Sequence, residues 1–278
     1  MAKEIICQLC TEATNYNGEW KWNAAGMAYL IRTKNNRLIA IDGGFKEDVP
    51  HLLRKAQEMT GEERPTVAMW ILTHPHLDHY GALLEMATNE EYRDIFNIEK
   101  LCYQITETPI LPLRGISYEV DFNNVHTITE GLGVPVVTPH TDDIFDIDGM
   151  RIRFFFTPED DGDKLSDVNS MSMVFRISGT NKSVMFPGDA HHHSTSIVCY
   201  KYWNELKSDI CQVSHHGLTG AAECFYARVA AETLLTPISP AGDRFIQGLG
   251  AGHVGALYAS RLAEREIKAY EGDAYLDL

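Results

Sequence analysis

Short apolar runs broken by glycine, asparagine and aspartate dominate the first part of the chain. Residues 26–32 and 37–42 are two such runs around a polar bend at Lys34-Asn35-Asn36, which predicts a hairpin. Asp42-Gly43-Gly44 ends its second strand, since glycine reaches backbone angles that other residues avoid. Residues 48–59 carry apolar side chains at helical spacing, with Gly61 as a stop. A continuous apolar run at 67–72 fits a buried strand, and 83–96 fits a largely helical segment. Residues 102–105 suit a strand, whereas 110–137 mixes proline, glycine and polar residues without a clear period. The runs 144–147 and 150–156 flank Asp148-Gly149, a pair suited to a tight hairpin turn. A further hairpin is expected over 172–178 and 183–186, single strands at 209–214 and 234–238, and helices at 221–231 and 256–266. No repeat, low-complexity tract or Gly/Ser linker interrupts the sequence, so one domain spanning 1–278 is expected. Hairpins with helices between them predict an α/β (α+β) chain, a mixed sheet system covered by helices.

Composition changes that picture little. A chain of 278 residues can bury about 75% of its unfolded surface, so folding requires no disulfide or structural metal. No apolar stretch approaches the ~20 residues of a membrane-spanning helix. The opening Met1-Ala2-Lys3-Glu4 is a poor signal peptide, so a cytoplasmic protein with no membrane partner is expected. The formal net charge of -15 repels polyphosphate backbones and weighs against a nucleic-acid partner. The six scattered cysteines are expected as buried free thiols. Cys7-Gln8-Leu9-Cys10 has redox or zinc spacing but lacks a second such pair, and is assigned to the first strand.

Candidate chemistry changes it more. In Thr73-His74-Pro75-His76-Leu77-Asp78-His79, three histidines and one aspartate fall within six positions after the buried strand. Imidazole nitrogen and carboxylate oxygen are common ligands of zinc and related ions. One loop cannot aim all four at one ion. Alternate residues can face one metal while the Asp-His pair faces a second, which predicts two adjacent cations. Farther on, Gly188-Asp189-Ala190 places a carboxylate just after a strand, where its two oxygens can bridge two cations. His215-His216 stands at another strand end, one imidazole suited to a metal and the other to substrate. Each is weak alone, a turn aspartate or a polar loop, and gains weight from its place in the series. His191, His192 and His193 directly follow Asp189, but adjacent side chains diverge, so one at most is expected at the site. His253, in a Gly-rich loop, suits a pocket wall and the surface equally.

These stations in this order resemble the metallo-β-lactamase superfamily, with His74, His76, Asp78 and His79 as its HxHxDH signature and Asp189 as its later aspartate. Asn169-Ser170-Met171-Ser172, Gly188-Asp189-Ala190 and His215-His216-Gly217 are similar to its ComEC-like branch, and Ile41-Asp42-Gly43-Gly44 also fits. The resemblance implies a four-layer αββα sandwich of two mixed sheets with a binuclear centre at one edge. It implies His74 and His76 on the first metal, Asp78, His79 and one later histidine on the second, and Asp189 as the bridge. His215, nearer the strand, is expected as that ligand and His216 as its substrate-side partner. A further first-metal histidine, common in the family, has no counterpart in 156–161, which leaves Asp160, Asn169 or water for the place. Zinc is the first expectation, with manganese, iron or nickel as alternatives. The implied activity is hydrolysis of a small phosphodiester, phosphoester, ester or lactone by a metal-activated hydroxide. Asp78 would orient the hydroxide, and His216 or His253 would protonate the leaving oxygen. The rivals are a nuclease acting on single strands, a non-catalytic metal-binding or sensing protein, and a redox diiron protein. Loops at 15–22, 110–140 and 244–253, with Trp20, Trp22, Tyr118 and Phe122, are the expected pocket walls.

Overall fold

The computed structural model describes residues 2–11, 26–105, 119–160, 167–249 and 254–278. Its first half contains β1 (Ile5–Gln8), β2 (Ala28–Arg32), β3 (Leu38–Asp42), α1 (Val49–Thr60), β4 (Thr66–Ile71), α2 (Leu77–Thr88), β5 (Asn97–Ile98), β6 (Leu101–Cys102), α3 (Glu119–Leu132) and β7 (Val136–Val137). Its second half contains β8 (Ile144–Ile147), β9 (Met150–Phe156), β10 (Val174–Ser178), β11 (Ser183–Phe186), α4 (His192–Lys201), β12 (Ile210–Gln212), α5 (Glu223–Val229), β13 (Thr233–Thr236), α6 (Pro240–Leu249), α7 (Val254–Leu262), β14 (Arg265–Lys268) and β15 (Ala274–Asp277).

Period-two alternation sets the layers. In β2 and β3, Tyr29, Ile31, Ile39 and Ile41 face one apolar cluster, and Ala28, Leu30, Leu38 and Ala40 face another. Across the sandwich, Phe175, Ile177, Val184 and Phe186 meet the first set, while Val174 and Met185 point outward to a third cluster. Tyr29 and Phe186 make an edge-to-face contact between the sheets at 5.2 Å. Helices cover both outer faces because both are apolar. On α1, Val49, Leu52, Ala56 and Met59 form the buried stripe, and Gly61 closes the helix at φ 72°. Residues of α2 and α3 complete that cluster, and α4, α5 and α7 cover the other sheet. The four-layer αββα sandwich expected from the sequence is therefore present.

The first sheet has the order β15-β1-β2-β3-β4-β6-β7, with β5 also on β4; the second is β14-β13-β12-β11-β10-β9-β8. Each joins a parallel half to an antiparallel half. The β3–β4 and β11–β12 parallel pairs end at one edge, the place where open α/β sheets bind ligands. At the opposite edge the β2–β3 and β8–β9 turns are clasped. There the Asp148 carboxylate accepts from Thr33, Asn35 and Arg37.

Several boundaries differ from expectation. The helix expected over 83–96 runs from Leu77 to Thr88, because the chain turns extended at Asn89 (φ -106°, ψ 119°). The aperiodic stretch contains α3, which packs closely on α2: a Cβ on Gly131 would lie 2.4 Å from the Ala87 carbonyl oxygen. The expected helix over 256–266 stops at Leu262, and Arg265–Lys268 instead pairs in parallel with β13. No helix among the described residues is long and apolar enough to cross a membrane.

Candidate metal centre

Strand ends from both sheets meet at one corner. The first sheet supplies Asp42 at the end of β3 and residues 73–79 after β4. The second supplies Asp189 after β11 and Ser214-His215-His216 after β12. Gly188 allows the two sides to approach. At its φ of 55° a Cβ would meet Thr73 Cβ at 3.0 Å and Ser172 Cβ at 3.1 Å. The Asp189 amide donates to Ser172 Oγ, and the His215 amide to the Gly188 carbonyl, which ties the corner to its neighbours. His215 and His216 both take left-handed backbone, at φ 50° and 55°, a conformation that costs a non-glycine residue about 1–2 kcal/mol.

Four imidazoles of the corner have an oxygen facing Nδ1. His79 Nδ1 lies 2.7 Å from Asp42 Oδ2, and His216 Nδ1 2.7 Å from the Pro237 carbonyl. His215 Nδ1 lies 2.9 Å from the Thr219 carbonyl, and His74 Nδ1 3.1 Å from Thr73 Oγ1. Carbonyl and carboxylate oxygens only accept, and the Thr73 hydroxyl spends its hydrogen on Asp42, so Nδ1 must be the donor and Nε2 carries the free lone pair in the neutral ring. Thr73 in turn donates its amide and hydroxyl to Asp42, at 2.8 Å each. Such outer acceptors are what orient metal-binding histidines.

The Nε2 atoms converge on Asp189. Its Oδ2 lies 3.4 Å from His79, 3.6 Å from His216, 3.7 Å from His74 and 3.9 Å from His215. Asp78 Oδ2 lies 3.2 Å from His216 Nε2 and 3.8 Å from His79 Nε2. Two overlapping sets of three are placed to hold an ion, His74, His79 and Asp189, and Asp78, His79 and His216; they share His79, whose one free nitrogen can serve only one of them. Among the described residues, His79 Nε2, His216 Nε2 and Asp189 Oδ1 are buried without a hydrogen-bond partner. A converging set of bare lone pairs lacks a positive centre, and a divalent cation fits that donor set.

The electrostatics agree. Burial raises the Asp78 carboxyl, but His79 and His216 outweigh it and hold its pKa at about 2. Burial also opposes ionisation of Asp189, yet His79 and His216 draw its pKa well below the usual range. Burial disfavours charge on His79, but Asp189 and Asp42 pull its pKa upward. His216 moves the same way against burial, through Asp189 and Asp78. Burial lowers His74, helped by His79.

His76 is offset from both sets, its Nδ1 3.0 Å from His74 Nε2. Of the later pair, His216 rather than His215 joins Asp78 and His79, the reverse of the order expected from strand proximity. Consecutive left-handed residues swing the second ring inward and leave the first at the rim, beside Thr219. His191 has its Nδ1 3.4 Å from Asp167 Oδ2 and its ring 5.3 Å from that of His215, while His192 and His193 are exposed. Asp160 is exposed and accepts from Thr141; Asn169 Oδ1 is buried without a partner among the described residues. Phe122 packs on Val168 and Met171. Cys7 and Cys10 are buried, and neither is in a disulfide. His253, Trp20, Trp22 and Tyr118 lie outside the described residues. Nothing in the local sequence shows how Asp42 acts; its only trace there is the Asp-Gly-Gly strand end.

A cavity of about 490 Å³ opens over Asp78, Asp189 and His216. A sequence profile of the metallo-β-lactamase superfamily matches residues 24–223. No curated protein matches the chain significantly. Among solved structures, CmlA, a diiron β-hydroxylase from Streptomyces venezuelae, is similar at 11% identity and a TM-score of 0.60, over 100% of this chain and 55% of that one. Zn2+-bound PqqB from Methylobacterium extorquens is similar at 12% identity and a TM-score of 0.56, over 99% of this chain and 100% of that one. Yeast PDE1 is similar at 12% identity and a TM-score of 0.53, over the whole of both chains. Likeness at this level of identity is one of fold.

Proposed function

The chain belongs to the metallo-β-lactamase superfamily, and on that premise we propose that it is a metal-dependent hydrolase with a binuclear centre, acting on a small phosphodiester, phosphoester, ester or lactone. One observation carries the proposal. Four imidazoles, each tied at Nδ1, turn Nε2 toward Asp189, and three ligand-type atoms there are buried and unpartnered. An unsatisfied buried polar atom costs about 1–3 kcal/mol, so three together point to an occupant.

His74 and Asp189 would hold one cation, with His76 turning in beside His74. Asp78, His79 and His216 would hold the other. When bound, such ions polarise the scissile group and lower the pKa of water. Asp42 keeps His79 in one tautomer and one orientation. Asp78, partly open to the cavity, accepts a proton or hydrogen bond from the water that attacks. His215, at the rim with Nδ1 held by Thr219, passes a proton from its imidazolium form to the departing oxygen. The zinc of PqqB and the iron of CmlA belong to those proteins; for this chain the metal is proposed as zinc from its imidazole-carboxylate set.

The test is elemental analysis of the purified protein, then turnover of bis(p-nitrophenyl) phosphate, p-nitrophenyl phosphate, p-nitrophenyl acetate and a homoserine lactone. Asp189→Ala is expected to lose metal and to cut the rate by more than the ~100-fold that loss of an outer partner costs. Equal rates in the variant and the parent would refute the mechanism. Full metal content without turnover of any substrate would favour a binding protein instead.

A further inference from the structure

One wall of the cavity carries a charge that the hydrolytic proposal does not use. Asp121, on α3, lines the space together with Phe45, Leu77, Leu218 and Phe245. Its Oδ1 accepts from Tyr80 Oη at 2.7 Å, and that oxygen accepts from Asn124 Nδ2 at 2.8 Å. The chain of hydrogen bonds fixes the carboxylate between α2 and α3. Among the described residues no lysine or arginine lines the cavity; its basic side chains are the histidines of the metal corner, His76, His215 and His216. Burial raises its pKa, against the hydrogen bond from Tyr80 and the charge of the nearby His76. A fixed negative group beside the apolar part of the wall, Phe45, Leu77, Leu218 and Phe245, repels anions and rewards a cation, by direct attraction and by contact with aromatic faces. The net charge of -15 draws cations toward the molecule as well.

We propose that Asp121 is a specificity residue that receives an ammonium group on the non-reacting half of the substrate, while the ester or phosphoester group lies over Asp78, Asp189 and His216. This rests on the hydrolase reading and names its substrate class: small esters or phosphoesters that bear an alkylammonium substituent. Tyr80 and Asn124 act as positioning residues through the carboxylate. A cavity of about 490 Å³ suits a molecule of that size.

Binding alone tests it. The metal-loaded protein is titrated calorimetrically with 2-aminoethylphosphonate and with propylphosphonate, which match in heavy-atom count and differ in the terminal charge. The parent is expected to favour the ammonium compound by about tenfold or more, the scale of a charged hydrogen bond. Asp121→Asn should bring the two affinities within about twofold, and Asp121→Glu should keep a preference. Equal affinities in the parent, failure of both compounds to bind at millimolar concentration, or a preference that survives Asp121→Asn would overturn the proposal. So would loss of one metal equivalent in Asp121→Asn, which would make the residue a ligand. Since no turnover is measured, absence of hydrolysis would count against the enzyme and leave the preference readable.

Discussion

Asp148 and Asp189 are both nearly buried carboxylates, with side chains 5% and 2% exposed, at opposite ends of the same sandwich. Asp148 accepts four hydrogen bonds, from Thr33, Asn35 and twice from Arg37, at 2.7–3.1 Å. Asp189 leaves Oδ1 without a donor and faces four imidazole nitrogens with Oδ2. The fold can therefore satisfy a buried carboxylate completely, and at the far edge it does. Around Asp189 it supplies only further lone pairs. Satisfied groups hold the two sheets together; the unsatisfied ones wait for something positive.

Three substitutions break or sharpen that contrast. The largest effect is expected from Asp42→Ala. It strips the acceptor from the Thr73 amide, the Thr73 hydroxyl and His79, and leaves buried donors unpaired. A stability loss of about 3 kcal/mol or more is expected in urea, with metal affinity weakened about 10–100-fold in a chelator competition. An unchanged metal affinity would show that Asp42 belongs with the structural carboxylates. Asp148→Asn comes next. Arg37, opposed by burial and helped by Thr33 and Asn35, lowers the Asp148 pKa from 3.8 to about 2. A depressed folded pKa adds stability above the unfolded value, and that stability disappears as pH falls through the folded one. The variant should thus be less stable by about 2 kcal/mol at pH 7, with the gap closing between about pH 4 and pH 2. Its metal content should match the parent. The smallest effect is expected from Lys3→Ala, which removes an exposed pair with Asp277. Its unfolding free energy should shift by less than about 0.5 kcal/mol.

The histidine loop was legible because its ligand-type residues fall within six positions, so spacing alone carries the information. The β8–β9 hairpin was legible because Asp148-Gly149 dictates a turn with both residues at positive φ, 55° and 85° as found. Helix α3 was not, since β-branched and polar residues obscure its period and, among its residues whose burial is described, only Val125 and Ile128 are buried. The choice between His215 and His216 was hidden for another reason. Sequence fixes which strand end they occupy, but backbone handedness decides which ring turns inward. Asp42 acts across 37 positions, a separation that local pattern cannot reach.

The left-handed backbone at His215 and His216 has a practical outcome for anyone engineering this protein. Glycine is at ease in that conformation where histidine is strained, so a screen that rewards heat resistance alone would find His215→Gly and His216→Gly among its simplest gains. Each winner would have shed one of the imidazoles this corner holds in place.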